Sequence, residues 1–193
     1  ECTVKYSFPL PRIDDFLDML RSAKCMTHLD LRSWYNQIRM SDDGPQDDSI
    51  AATTFQGLTP NGASCLLEML VMGFGLCNAP ATFSRLMNHV LEPYIHKFVI
   101  VYLDDICIYS DSPYQHIDHL CQVLQKLREH QLFIKMPKCF WGRKETEYLG
   151  VIVGNGTLRT APDKIAAVRD WSLPETQKQR KSFVQFCSYY GKF

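Results

Sequence analysis

The stretch Phe98-Val99-Ile100-Val101-Tyr102-Leu103-Asp104-Asp105-Ile106-Cys107-Ile108-Tyr109 decides how this chain is read. Phe98 to Leu103 is nearly all apolar, as a central strand covered on both faces must be. Two acids follow at once, and a second apolar strand runs over Ile106 to Tyr109. Adjacent carboxylates at a tight bend between hydrophobic strands repel each other, and partial burial adds to the cost. A divalent cation relieves that conflict, because Mg²⁺ takes hard oxygen ligands, usually one or two carboxylates together with substrate phosphates. A solvated Asp-Asp hairpin turn is the other reading of the same residues.

Outward from this stretch, Thr27-His28-Leu29-Asp30-Leu31 closes a short apolar strand over Cys25 to Leu31 that also carries an acid near its end. Neighbouring strands lie about 4.8 Å apart. Pairing of this strand beside the 98–103 strand would gather Asp30, Asp104 and Asp105 at one end of a sheet. Three such carboxylates can hold two Mg²⁺ about 3.5–4 Å apart, the arrangement that serves in-line phosphoryl displacement. A turn or capping acid is the plainer reading of Asp30 alone.

Ile13, Phe16, Leu17 and Leu20 share one face at helical spacing, which predicts a helix over 12–23. Apolar segments near 50–56 and 65–72 flank Thr59-Pro60-Asn61-Gly62, and Asn-Gly between strands signals a hairpin. Asn78-Ala79-Pro80 predicts a helix start capped by Asn78, with Phe83, Leu86, Met87, Val90 and Leu91 as the buried face. Further helices are expected near 113–131, 162–171 and 177–190, and a strand at 147–153. The class is α+β with a largely antiparallel sheet.

The 193 residues are 46% hydrophobic and 22% charged, which builds a core and excludes a disordered chain. No run approaches the roughly 18 apolar residues of a membrane-spanning helix. No basic-then-apolar leader is read at Glu1, and a start on Glu rather than Met suggests a piece of a longer product. The eight cysteines (Cys2, Cys25, Cys65, Cys77, Cys107, Cys121, Cys139, Cys187) are scattered without metal-site spacing, and read as buried thiols in a reducing compartment. Charge balances at 21 basic and 21 acidic residues but is unevenly spread. Lys126, Arg128, Lys135, Lys138, Arg143 and Lys144 face only Glu129, whereas Asp42, Asp43, Asp47 and Asp48 have no base among them. Such polarity suits a phosphate backbone on one face and metal ions on another, or simply two solvated loops.

Several blocks carry a resemblance. Leu29-Asp30-Leu31-Arg32-Ser33-Trp34-Tyr35-Asn36-Gln37-Ile38, Val71-Met72-Gly73-Phe74-Gly75-Leu76-Cys77-Asn78-Ala79-Pro80-Ala81-Thr82-Phe83, Tyr102-Leu103-Asp104-Asp105 and Tyr148-Leu149-Gly150 occur in this order. With Pro9-Leu10-Pro11-Arg12-Ile13-Asp14 and the tail from Arg180 to Phe193, they resemble the reverse transcriptases of gypsy-type LTR retrotransposons over nearly the whole chain. The resemblance implies a polymerase palm with a ferredoxin-like central antiparallel sheet packed on helices, a partial fingers hairpin and a helical thumb start. Residues 1–25 and 41–76 would be partial fingers, 26–40 and 77–155 the palm, and 156–193 the truncated start of the thumb or connection.

It further implies an RNA-directed DNA polymerase core, a nucleotidyltransferase that adds dNMP to a primer 3′-hydroxyl with two Mg²⁺, Mn²⁺ being a substitute. Asp30 and Asp104, helped by the Leu31 carbonyl, would bind the metals, with Asp105 a third carboxylate in intermittent contact with them, and Lys138 would protonate the pyrophosphate. Tyr35 would exclude a ribose 2′-hydroxyl, Phe74, Gly75 and Leu76 would line the nucleotide pocket, and Leu149 and Gly150 would grip the primer end. The implied partners are an RNA or DNA template with primer, dNTPs, and the protease, RNase H and integrase parts of one polyprotein. The implied location is intracellular, in a cytoplasmic retroelement particle with access to the nucleus, neither secreted nor membrane-bound.

The chain departs from the family pattern at Gly73, where proline is usual, at Trp34, where glycine is usual, and near Ala52, where a lysine is missing. The 55–68 segment is also a few residues longer than usual. Intact Asp30, Asp104 and Asp105 favour the polymerase. The departures and the truncation favour a degenerate or domesticated, catalytically inactive palm fragment that binds nucleic acid or another protein. A nucleotide cyclase-like enzyme, which shares a palm-like sheet with paired metal acids, is a remoter third reading.

Overall fold

The structure, a computed structural model, describes residues 5, 6, 8, 9, 11–40 and 53–193. In chain order its elements are α1 (Ile13–Arg21), β1 (Cys25–Asp30), β2 (Phe55–Leu58), β3 (Ser64–Leu67), α2 (Ala79–Leu91), β4 (Val99–Tyr102), β5 (Asp105–Ser110) and α3 (Pro113–Glu129). β6 (Phe140–Arg143), β7 (Glu145–Tyr148), β8 (Val151–Gly154), β9 (Thr157–Thr160), α4 (Pro162–Arg169) and α5 (Gln177–Tyr190) follow. Short 3₁₀ turns lie at Trp34–Gln37 and Met136–Lys138. The result is α+β, with antiparallel sheets ordered β4-β5-β1-β6, β2-β3 and β7-β8-β9.

The two-residue period of a strand splits the central sheet into two faces. Leu29, Val99, Val101, Ile106 and Ile108 enter one core with Phe83, Met87, Val90 and Leu91 of α2 and Val123 and Leu127 of α3. Met26, Ile100 and Cys107 point the other way, onto Phe16, Leu17 and Leu20 of α1 and Tyr148, Val151 and Val153 of the three-stranded sheet. Both faces are therefore dry, which is why 98–103 reads as an unbroken apolar run. A polar seam crosses the first core: His116 of α3 is buried between Thr27 (Oγ1 to Nε2, 2.7 Å) and Ser110 (Oγ to Nδ1, 2.9 Å).

Several expectations are corrected in detail. The strand expected at 147–153 is two strands, β7 and β8, because Leu149 and Gly150 both take positive φ, 53° and 79°, and turn the chain. Asn78 does not cap α2; its φ of −91° and ψ of 0° are already helical, so its side chain does not reach back to the free N–H groups. Instead Asn78 Oδ1 accepts the Tyr6 amide at 3.2 Å. The hairpin forms as expected around Gly62, but its strands are shorter, pairing Phe55 with Leu67 through Leu58 with Ser64. The first strand was expected from 50, and residues 50–52, with Asp42, Asp43, Asp47 and Asp48, lie outside the described residues. The described cysteines are free thiols; Cys25, Cys107 and Cys139 are buried, but Cys77 and Cys121 are exposed, one in a turn and one on the outer face of α3.

Candidate active site

β4 and β5 are joined by a two-residue turn, Leu103-Asp104, so that Tyr102 pairs with Asp105. Leu103 takes φ 53°, a left-handed conformation that costs a non-glycine residue about 1–2 kcal/mol. The buried strands on either side hold the turn in that state and project its acids from the sheet end. On the other edge of β5 lies β1, antiparallel, with Asp30 directly opposite Asp105. This corrects one expectation: Asp30's strand neighbours β5, not the 98–103 strand. The hairpin to β4 takes one edge of β5, and only the other edge is left for β1. The convergence of the acids survives, because Asp105 opens β5 and Asp104 precedes it.

Each carboxylate has a different setting. Asp30 Oδ2 lies 3.6 Å from the Lys138 Nζ, while its backbone carbonyl accepts the Lys135 amide at 2.8 Å. Asp105 Oδ1 lies 3.0 Å from His28 Nε2. Burial pushes the Asp104 carboxyl above its ordinary pKa, and the charges of Asp105 and Asp30 push the same way; its own backbone N–H and His28 act against them. Burial and neighbouring like charge thus act together on Asp104. Among the described residues no group of three or more His, Cys, Asp or Glu side chains forms a ready metal cage.

Tyr35 sits in the 3₁₀ turn after β1, only 9% exposed. Burial raises its phenol's pKa, and the Asp104 charge adds to it, so the ring lies within electrostatic reach of the acids. Phe74, 71% exposed, meets Tyr35 edge-on at 4.9 Å between ring centroids. The Trp34 indole lies 3.5 Å from the Tyr35 ring and 4.5 Å from Phe83, packed against the core. Gly75 takes φ 91° with open space around it, and Leu76 packs on the core beside α2. Leu149 and Gly150 form the β7–β8 turn, which follows Tyr148; the Tyr148 ring meets His28 edge-on at 6.3 Å.

Three residues of the basic stretch 126–144 have partners within the chain. Lys126 pairs with Glu129 at 3.4 Å, Arg143 lies 4.3 Å above the Phe140 ring, and Lys138 turns to Asp30. The residue that reading the sequence missed is His28. Its signal was its place two before Asp30, on the same face of a strand. No helix among the described residues is long and apolar enough to cross a membrane.

Residues 1–153 match the family model for reverse transcriptase (RNA-dependent DNA polymerase). The chain is 36% identical over its full length to the retrovirus-related Pol polyprotein from transposon 297 of Drosophila melanogaster, spanning 17% of it. It is 31% identical over its full length to the polyprotein from transposon gypsy of the same fly, and 30% identical over 96% of the chain to the Tf2-3 polyprotein of Schizosaccharomyces pombe, spanning 18% and 13% of them. Among solved structures, the foamy viral protease-reverse transcriptase in complex with dsDNA matches at TM-score 0.76 and 20% identity over 97% of this chain and 37% of its own. The same viral protein in complex with an RNA/DNA hybrid matches at TM-score 0.71 and 20% identity, over 90% of this chain and 22% of its own. A sheet end that gathers Asp30, Asp104 and Asp105, a fold shared with a retroviral polymerase, and the family match over most of the chain lead to one assignment: the chain belongs to the reverse transcriptase family and is related to the Pol polyproteins of gypsy-type and Tf2 LTR retrotransposons.

Proposed function

We propose that this chain is the catalytic core of an RNA-directed DNA polymerase, adding dNMP units from dNTPs to a primer 3′-hydroxyl on an RNA or DNA template. The observation that carries the reading is the direct cross-strand pairing of Asp30 with Asp105, with Asp104 in the adjoining turn. Residues 26–40 and 77–155 act as the ferredoxin-like palm, 1–25 and 41–76 as part of the fingers, and 156–193 as the start of the thumb. The protease, RNase H and integrase parts belong to the longer polyprotein, and the setting is a cytoplasmic retroelement particle.

The donor set suits two hard cations. Mg²⁺ binds through one or two carboxylates and completes its shell with water and substrate phosphates, so a three-residue cage is not required. Asp30 and Asp104, with the Leu31 carbonyl and Asp105 as a third carboxylate, would hold the metals; burial first, and then the charges of Asp105 and Asp30, raise Asp104's affinity for a proton, and a bound cation would offset both. When bound, Mg²⁺ or Mn²⁺ supplies charge stabilisation at the attacking and departing oxygens. The protein's own residues place the reactants. Tyr35, held by Trp34 and faced by Phe74, closes the sugar side of the nucleotide pocket. Leu149 and Gly150 support the primer end, and Lys138, already directed at Asp30, can deliver a proton to the leaving pyrophosphate.

The test is incorporation of dNTPs on a primed RNA template by the chain within its full polymerase. The expected result is Mg²⁺-dependent extension. Asp104→Asn should lower it by roughly 10²–10³-fold, the range for losing one preorganised electrostatic group, while primer–template affinity holds. Absence of extension by the full protein would favour the catalytically inactive, nucleic-acid-binding reading.

A further inference from the structure

His28 stands across from Cys107 on β5, on the face of β1 that also carries Asp30. Asp105, two residues before Cys107, is its diagonal neighbour on that face. The His28 Nε2 to Asp105 Oδ1 distance is 3.0 Å, and the imidazole is 13% exposed. Its ring is fixed from two sides: Phe140 stacks on it at 6.2 Å and 21°, and Tyr148 meets it edge-on at 6.3 Å and 77°. Nδ1 is buried with no hydrogen-bond partner among the described residues. Nε2 is thus the ring nitrogen that makes a hydrogen bond, as donor to the Asp105 carboxylate.

The three acids differ in what holds them. The Asp104 carboxylate is met by its own backbone N–H and by no other residue's side chain among the described residues, and Asp30 is met by an exposed Lys138 at a long 3.6 Å. Among the described residues, only Asp105 of the three has a close side-chain donor, and that donor is shielded. We propose that His28 is a positioning residue that ties the Asp105 carboxylate back along β1, leaving Asp30 and Asp104 as the pair that faces a divalent cation. This rests on the polymerase reading above and deepens it. A locked second-sphere donor behind a carboxylate is a known way to fix which ligands a metal meets.

The consequence is specific. Cation affinity rises with the number of carboxylates that reach the ion. Removing the imidazole should release Asp105 toward the cation, tightening binding while disturbing the geometry that the reaction needs. The probe is Mn²⁺, its binding to the full polymerase on a primed template followed by electron paramagnetic resonance, with Mg²⁺-dependent incorporation measured alongside. Asp105→Asn alone should leave Mn²⁺ affinity within about twofold, whereas Asp30→Asn or Asp104→Asn should weaken it by tenfold or more, roughly 1.4 kcal/mol.

His28→Leu should bind Mn²⁺ about tenfold tighter yet extend primers roughly 10–100-fold more slowly. His28→Gln, whose amide N–H can replace the Nε2 donor, should restore both. In the His28→Leu, Asp105→Asn double variant, Mn²⁺ affinity should return to the wild-type value, because the two changes act through one contact. The inference is overturned if Asp105→Asn weakens Mn²⁺ binding as much as Asp104→Asn does, or if the two changes prove additive. Should His28→Leu fail to fold, the Asp105→Asn result decides alone. A wild type that binds Mn²⁺ but extends nothing would sink the polymerase reading and leave the binding arm to judge His28.

Discussion

Replacing Gly150 by alanine separates two costs that usually come together. Gly150 takes φ 79°, and so does Gly62 in the β2–β3 hairpin turn. The surroundings differ. A Cβ on Gly62 meets nothing within 4 Å, whereas one on Gly150 would lie 3.1 and 3.2 Å from Cε1 and Cζ of Tyr190, and closer still to its hydroxyl. Both alanines carry the left-handed backbone cost, about 1–2 kcal/mol. Only Gly150→Ala adds the cost of pushing back an aromatic ring, typically about 1–3 kcal/mol for overpacking. That ring cannot retreat freely: Phe186 and Tyr189 lie 4.8 Å away, and the Tyr190 carbonyl accepts the Thr160 hydroxyl at 3.0 Å. In a chain of this size each 1 kcal/mol moves the melting midpoint by about 2–4 °C. Thermal and urea melts of the two single variants should therefore differ by at least that much, Gly150→Ala being the less stable. Adding Tyr190→Phe should recover part of the Gly150→Ala loss and none of the Gly62→Ala loss. Equal losses at the two glycines would refute the claim that α5 presses on the β7–β8 turn.

Two further outcomes are expected. Tyr35→Ala should raise ribonucleotide incorporation relative to deoxynucleotide incorporation by the full polymerase; an unchanged sugar ratio in competition assays would remove Tyr35 from that role. Burial holds the His116 imidazole below its ordinary pKa, and His119 nearby adds to the effect. The unfolded chain therefore takes up the proton first, so stability is intact above about pH 6.5 and is lost as pH falls from there toward the folded-state value. Denaturant titrations across about pH 5–8 should show that slope flattened in His116→Gln.

Much of the fold was written into local pattern. The 98–109 run betrayed a doubly covered hairpin because nothing polar interrupts it except the acids, and Ile13, Phe16, Leu17 and Leu20 marked α1 by spacing alone. What failed was non-local or conformational. The neighbour of β1 depends on which edge of β5 the hairpin leaves free, and no property of 25–31 encodes that. β6 escaped notice because Gly142, at φ 56°, bends a short edge strand whose pairing with β1 is irregular. The strand over 147–153 looked continuous because Leu149 is apolar, although its backbone turns. Asp30, Asp104 and Asp105 were legible as chemistry because acids beside apolar strands need an explanation. His28 was not, since its role comes from a contact 77 residues away.

The two-faced central sheet also limits how this chain can vary over time. Along β1 and β5, neighbouring residues serve opposite cores, and the acids occupy fixed steps of the same ladder. A single inserted or deleted residue inside either strand would reverse the side every later residue faces. Leu29 would trade places with His28, and the meeting of residues 30 and 105 would be lost in one event. Length changes are therefore far better borne at connections such as 59–63, where the hairpin ends in solvent, than inside these strands.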